Sequence, residues 1–154
     1  MCVTPFPIVS RHGVLPRLYM FSEASGLFGH QVLCMDLDVV ITGSLEDIMA
    51  YRGEFCTRSK FKGQQIKLDG DIMSFRACRE TEEKFWKPFV RNVEEAEAHT
   101  KGRERYWIRR VTGGVADRWE VETPNQIYSY KNHIRKRRVK RPPPNARIVS
   151  CHGV

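Results

Sequence analysis

Leu33-Cys34-Met35-Asp36-Leu37-Asp38-Val39-Val40-Ile41 decides how this chain is expected to fold. The run leading into it starts at Gln31, is apolar in character and ends on a carboxylate. It is short and lies between Gly29 and Gly43, which suits a buried strand. In an open α/β sheet, ligand sites lie in the crevice beyond the carboxyl ends of strands. Asp36 and Asp38 are expected at such an end. In a regular strand both would point to one face, because side chains alternate with a period of two. Two anions held that close repel each other unless a cation or proton lies between them. A divalent cation relieves the repulsion, and hard carboxylate oxygens suit Mg2+ or Mn2+. The competing reading is a surface turn with two solvated acids, against which the apolar flanks argue.

The segments around this stretch alternate between strand and helix patterns. Leu15, Leu18, Tyr19 and Phe21 recur at roughly helical spacing, so a short helix is expected over 15–24, punctuated by Gly26 and Gly29. Ser44-Leu45-Glu46-Asp47 places a capping serine before two acids, and the helix should run to about Tyr51. Strands are expected at 53–57, 71–75, 127–130 and 148–151, with a polar loop over 58–70. Residues 79–99 are rich in Glu, Lys and Ala, with Phe85, Trp86, Phe89 and Val90 on one side of an amphipathic helix. Pro88 should break or kink it. Tyr106-Trp107-Ile108 forms another short apolar patch. Together these segments indicate a single α/β domain over residues 1–154.

Charge is placed unevenly in the 154 residues. The formal net charge is +8, yet residues 1–122 balance 18 basic against 18 acidic residues. Residues 123–154 hold 8 basic residues and no acid. A uniformly basic, histone-like protein is thereby excluded. No apolar run approaches the roughly 20 residues of a membrane helix. The start, Met1-Cys2-Val3-Thr4-Pro5-Phe6-Pro7, lacks the basic and apolar regions of a secretory signal. The five cysteines are widely spaced and form no CxxC pair, which argues against a zinc knuckle or a thioredoxin site. Reduced, buried thiols in a cytoplasmic protein are expected.

Two enzyme classes place an acid-x-acid pair after such a strand. One is the GT-A glycosyltransferases, which bind a metal on the donor diphosphate through a DxD motif. The other is the haloacid-dehalogenase-like phosphatases, whose first motif reads DxDx[TV] and in which Asp36 would be the nucleophile. Asp36-Leu37-Asp38-Val39-Val40 satisfies both patterns. The surrounding segments favour the first. Asp36 to Asp47 resembles the glycosyltransferase pattern "DLDvvitGsLdd", and residues 15–21 resemble "wPKlylF". Ser129-Tyr130-Lys131-Asn132-His133 and residues 143–153 resemble "SYKvH…PpgArvVcFHG". The chain thus resembles small bacterial and phage glycosyltransferase-like proteins with a DxD motif, distantly glycogenin-like.

That resemblance implies a GT-A-like mixed sheet flanked by helices. It implies transfer of a sugar from a nucleotide-diphosphate donor, a UDP-sugar above all, to a carbohydrate or other glycan acceptor. Asp36, Asp38 and His152 would hold Mn2+ or Mg2+, with Asp36, Lys131 and Gly153 at the donor diphosphate. Asp69-Gly70-Asp71-Ile72-Met73 aligns with the family's "NSGVM" strand, which places Asp69, Gly70 and Asp71 near the sugar or acceptor. Trp107 lies where relatives show "GDQ.wi" and is a further sugar or acceptor candidate. The fold's first strand-helix units normally precede the acid pair, whereas only 35 residues precede Asp36. The chain is therefore expected to be truncated at its N-terminus, to bind nucleotide weakly and to expose a sheet edge. A homo-oligomer is carried among the partners.

Seven cations, Lys131, Arg135, Lys136, Arg137, Arg138, Lys140 and Arg141, fall within residues 131–141. With Pro142-Pro143-Pro144 they make a basic, proline-containing loop at about 131–145. The commonest fate of such a run is a solvated loop. Diphosphate or anionic-acceptor binding, and nucleic-acid or anionic-surface contact, are the functional alternatives. No nucleic-acid motif is present, so neither sequence-specific readout nor nucleic acid as a main partner is expected.

Overall fold

The computed structural model describes residues 13, 15–60 and 67–151. These residues form a mixed α/β structure with two mixed sheets. Strands β1 (Gln31–Met35), β2 (Val39–Ile41), β3 (Phe55–Thr57), β4 (Ile72–Arg76), β5 (Asp117–Arg118), β6 (Ile127–Ser129) and β7 (Ile148–Ser150) follow in chain order. One sheet has the order β1-β4-β3-β5 and the other β2-β7-β6. The amide of Gly29 bonds the Ala77 carbonyl and that of Asp36 the Asp71 carbonyl, so β1 and β4 pair antiparallel. β3 and β5 are parallel. In the second sheet β7 pairs antiparallel with β2 and parallel with β6.

The chain, expected as one domain, packs as two compact units. One comprises the described part of Met1–Val32 with Phe75–Val115, and the other the described parts of Leu33–Ser74 and Ala116–Val154. The first has an aromatic core. Phe21 stacks on Phe85 at 4.5 Å and packs on Phe75 at 4.3 Å, while Phe89 meets Trp107 edge-on at 5.9 Å. The expected helix over 15–24 is a 3-10 helix over Leu15–Phe21 followed by a 3-10 turn, Glu23–Ser25.

The expected helix over 79–99 is four segments. α2 (Arg79–Thr81) leads into a π-helical stretch, Glu82–Trp86, then α3 (Lys87–Arg91) and α4 (Val93–Thr100). Pro88 does not make the break. A proline ring clashes with the carbonyl four residues back in an ordinary helix. Here Pro88 lies in the first turn of α3, and the Lys87 amide reaches five residues back to Glu82. The widened turn accommodates the ring. The interruption falls at Asn92, whose extended backbone and side-chain oxygen cap α4 through the Glu95 amide. Val90, expected on the apolar side, is exposed.

In the second unit Ile48, Tyr51, Cys56, Ile72, Trp119 and Ile148 form the buried cluster, with Leu33, Met35 and Val39 packed against it. The Trp119 indole N–H donates to the Ile72 carbonyl at 3.1 Å. The N-cap of α1 (Glu46–Met49) is Leu45, which makes no side-chain cap bond, and the serine expected to cap lies one residue earlier, with its Oγ accepting from the Glu46 amide at 3.3 Å. α5 (Glu104–Thr112) carries the Tyr106-Trp107-Ile108 patch. α6 (Trp119–Glu122) and β5 have no counterpart among the expected elements. The four described cysteines are free, but only Cys56 is buried; Cys34 and Cys151, expected inside, are partly exposed. Among the described residues no helix is long and apolar enough to cross a membrane.

Candidate functional site

The acid pair does not continue the strand. The Val39 amide donates to the Asp36 carbonyl at 3.2 Å, closing a four-residue turn between β1 and β2. Leu37 projects fully into solvent, Asp38 is exposed and Asp36 is half-buried. The expectation of a regular strand with both acids on one face is therefore corrected. The apolar flanks belong to two different strands, and the acids occupy the turn between them.

Backbone bonds gather other segments around this turn. The Asp36 amide donates to the Asp71 carbonyl at 2.8 Å, and the Cys151 amide donates to the Asp38 carbonyl at 2.8 Å. Across the second sheet Val39 pairs with Ser150, and Ser150 pairs with Ser129. The start of β2 and the ends of β6 and β7 thus share one sheet end. Lys131 follows Ser129 by two residues, in a π-helical turn over Tyr130–Arg135 whose start is capped by Ser129 Oγ accepting from the Asn132 amide. His152 and Gly153 lie outside the described residues, although Cys151, just before them, is bonded at the acid turn.

Beneath the turn lies a buried ion pair that sequence reasoning missed. Arg58, 1% exposed, donates from Nε and Nη2 to Asp71 Oδ2 at 2.9 and 2.6 Å. Ser150 Oγ donates to the same oxygen at 2.9 Å. Asp71 Oδ1 is buried with no hydrogen-bond partner among the described residues. Asp69 is partly buried, holding the Gly70 amide at 3.2 Å and lying 3.4 Å from Arg58 Nη2. The structure thus engages Asp69 and Asp71, expected near a sugar, with an internal cation. The signal for Arg58 was available: two acids at i and i+2, after a strand that itself ends beside an arginine.

Trp107 lies in the other unit. It is 4% exposed, and its indole N–H donates to the Phe85 carbonyl at 2.9 Å. A ring so enclosed packs the core and offers no open face for a sugar, which corrects the ligand expectation for this residue.

His133 is a titratable group near the end of β6. Its Nδ1 accepts from the Ser129 amide at 2.9 Å, so that nitrogen carries no proton. Burial, then the positive charges of Arg137 and Arg58, hold its pKa below the ordinary 6.5. The unfolded chain therefore binds this proton more readily than the folded one. The stability linked to His133 is complete above about pH 6.5 and is lost as pH falls through the depressed folded value. We expect the urea midpoint to fall between pH 7.5 and 5.5 by more in the wild type than in His133→Asn. Equal slopes would remove His133 as the source.

Among the described residues no group of three His, Cys, Asp or Glu side chains assembles to hold a metal ion. The chemistry of the acid turn nonetheless fits a hard cation, since two carboxylates two residues apart supply oxygen donors at a sheet end. The third ligand expected, His152, is outside the described residues. Compared with known proteins, the chain matches no family model, no curated protein and no solved structure.

Proposed function

We propose that the chain is a metal-dependent glycosyltransferase-like protein of the GT-A type, transferring a sugar from a nucleoside-diphosphate donor to a glycan acceptor. The observation that carries this reading is the hydrogen bond from the Cys151 amide to the Asp38 carbonyl. It joins the two segments of sequence that bear the strongest resemblance, the acid pair and the residues leading to His152-Gly153. Asp36 and Asp38, with His152, would hold Mn2+ or Mg2+. The bound cation supplies neutralisation of charge developing on the leaving diphosphate. Lys131 adds positive charge near the same sheet end, at a position that suits a phosphate oxygen. The Asp71 carbonyl fixes the Asp36 amide, and the Asp38 carbonyl is fixed from β7, so the turn is held from both sides.

The test is thermal unfolding with Mn2+ and UDP, together and separately, and with EDTA. Stabilisation by the pair that exceeds either alone and vanishes with EDTA is expected. Absence of any such stabilisation overturns the reading. Hydrolysis of a simple aryl phosphate that Asp36→Asn abolishes would assign the turn to phosphatase chemistry instead.

A further inference from the structure

We propose that residues 130–141 bind single-stranded nucleic acid through its phosphates, without reading its sequence and without metal. The reading goes beyond sugar transfer and does not depend on it. Arg135, Lys136, Arg137, Arg138, Lys140 and Arg141 are all exposed. No acid exists anywhere in residues 123–154 to neutralise them locally. Arg137, Arg138, Lys140 and Arg141 have no ion-pair partner among the described residues.

This cluster is built rather than trailing. The Lys136 amide bonds the Lys131 carbonyl, the Arg138 amide the Arg135 carbonyl and the Val139 amide the Ile134 carbonyl. Ile134 is buried under the turn, and Arg138 adopts a left-handed backbone at φ 55°. At the far end of the loop, Asn145 Nδ2 donates to the Asn125 carbonyl at 2.7 Å. The backbone of residues 131–139 is therefore held by its own hydrogen bonds before any ligand arrives, so less ordering entropy is lost there on binding. Six like charges in seven positions repel one another, and holding them in one turn costs free energy that a polyvalent anion would relieve.

The number and kind of groups select the ligand. A lone diphosphate carries fewer charges than the six cations present, whereas a phosphodiester chain presents one at every residue. Four of the six are arginines, whose planar forks match phosphate oxygens in pairs. Tyr130 stands exposed at the start of the turn and offers a ring face on which a base can stack. Tyr128 does not, since its ring packs edge-on against His133. A stacking ring beside a cationic track suits a single strand better than a duplex, whose bases are already stacked.

The experiment is fluorescence anisotropy of the full chain with labelled oligo-dT of about 20 nucleotides, in EDTA, across salt concentrations. Binding with a log-log salt slope of about −3 to −4 is expected, from four to six contacts at roughly −0.7 each. The variant Arg137→Gln/Arg138→Asn/Lys140→Gln/Arg141→Gln should bind at least about 30-fold more weakly at 50 mM salt and lose about three units of slope. Tyr130→Ala should weaken binding about 5- to 100-fold with the slope unchanged. Circular dichroism confirms that each variant folds. Absence of binding at 50 mM salt overturns the proposal, as does an unchanged slope in the quadruple variant. Equal competition by poly-glutamate or by duplex DNA also overturns it, by assigning the patch to acidic chains or to double strands.

Discussion

Asp71→Ala is expected to destabilise the chain by about 3–5 kcal/mol, a large fraction of the stability of a domain this size. The substitution leaves the Arg58 guanidinium 1% exposed and facing a void where two charge-assisted bonds had been. Among its other contacts are the Ser59 carbonyl at 2.8 Å and Asp69 Oδ2 at 3.4 Å, of which the second is too long to replace the lost pair. The Ser150 hydroxyl also loses its acceptor on Asp71. Removing one partner of a buried pair is far costlier than removing both, because the charge left behind is desolvated and uncompensated. Arg58→Met/Asp71→Leu should therefore recover most of the loss. Urea denaturation reads both effects, with a midpoint drop of about 2 M for the single variant. Ser150→Ala, which deletes the hydroxyl's bond to Asp71 and leaves the ion pair, should cost only about 1 kcal/mol. If the Asp71 and Ser150 variants prove equally mild, the ion pair does not organise this region.

Arg58 shows why part of the structure was legible in the sequence and part was not. β1, β4 and β7 are short apolar runs bounded by polar or turn-forming residues, and their positions follow from local pattern alone. The acid turn was misread because Leu33–Met35 and Val39–Ile41 look like one apolar segment, and the pattern holds no glycine or proline between them. The Val39 amide closes that turn on the Asp36 carbonyl, and a long-range pairing, Val39 with Ser150, which no local window contains, holds it in the sheet. The same holds for Asp71, whose carboxylate was expected at a ligand and instead meets an arginine thirteen positions earlier. The π-helical stretch depends on where Pro88 falls relative to the apolar face of Phe85, Trp86 and Phe89. It is a compromise between packing and hydrogen bonding that composition does not reveal. The acid pair itself and its place at a strand end were legible. Each rests on residue type and order.

Asp38→Asn is expected to abolish the metal-dependent stabilisation by nucleoside diphosphate while leaving the unliganded protein almost unchanged. The two halves of that expectation have separate causes. Asp38 is exposed in the turn, and substitution at an exposed position typically changes stability by no more than about 0.5 kcal/mol. Its structural bond is the main-chain carbonyl accepting from Cys151, which asparagine retains. Its proposed chemical role lies in the carboxylate, which asparagine lacks. A ligand at about 100 times its dissociation constant stabilises by roughly 2.7 kcal/mol, and a 100-fold loss of affinity removes nearly all of that. For a chain of this length such an effect is a shift of about 5–10 °C in the unfolding temperature. The wild type should show it with Mn2+ plus UDP, and Asp38→Asn should show less than about 2 °C by the same conversion. Asp36→Asn should lose the ligand effect too, but at a higher structural cost, because Asp36 is half-buried. A variant that keeps the full shift would place the cation elsewhere. One that loses the shift together with its fold would make Asp38 structural, contrary to its exposure. The contrast with Asp71, where the carboxylate holds the fold and its loss is felt without any ligand, separates an acid that serves chemistry from one that serves architecture.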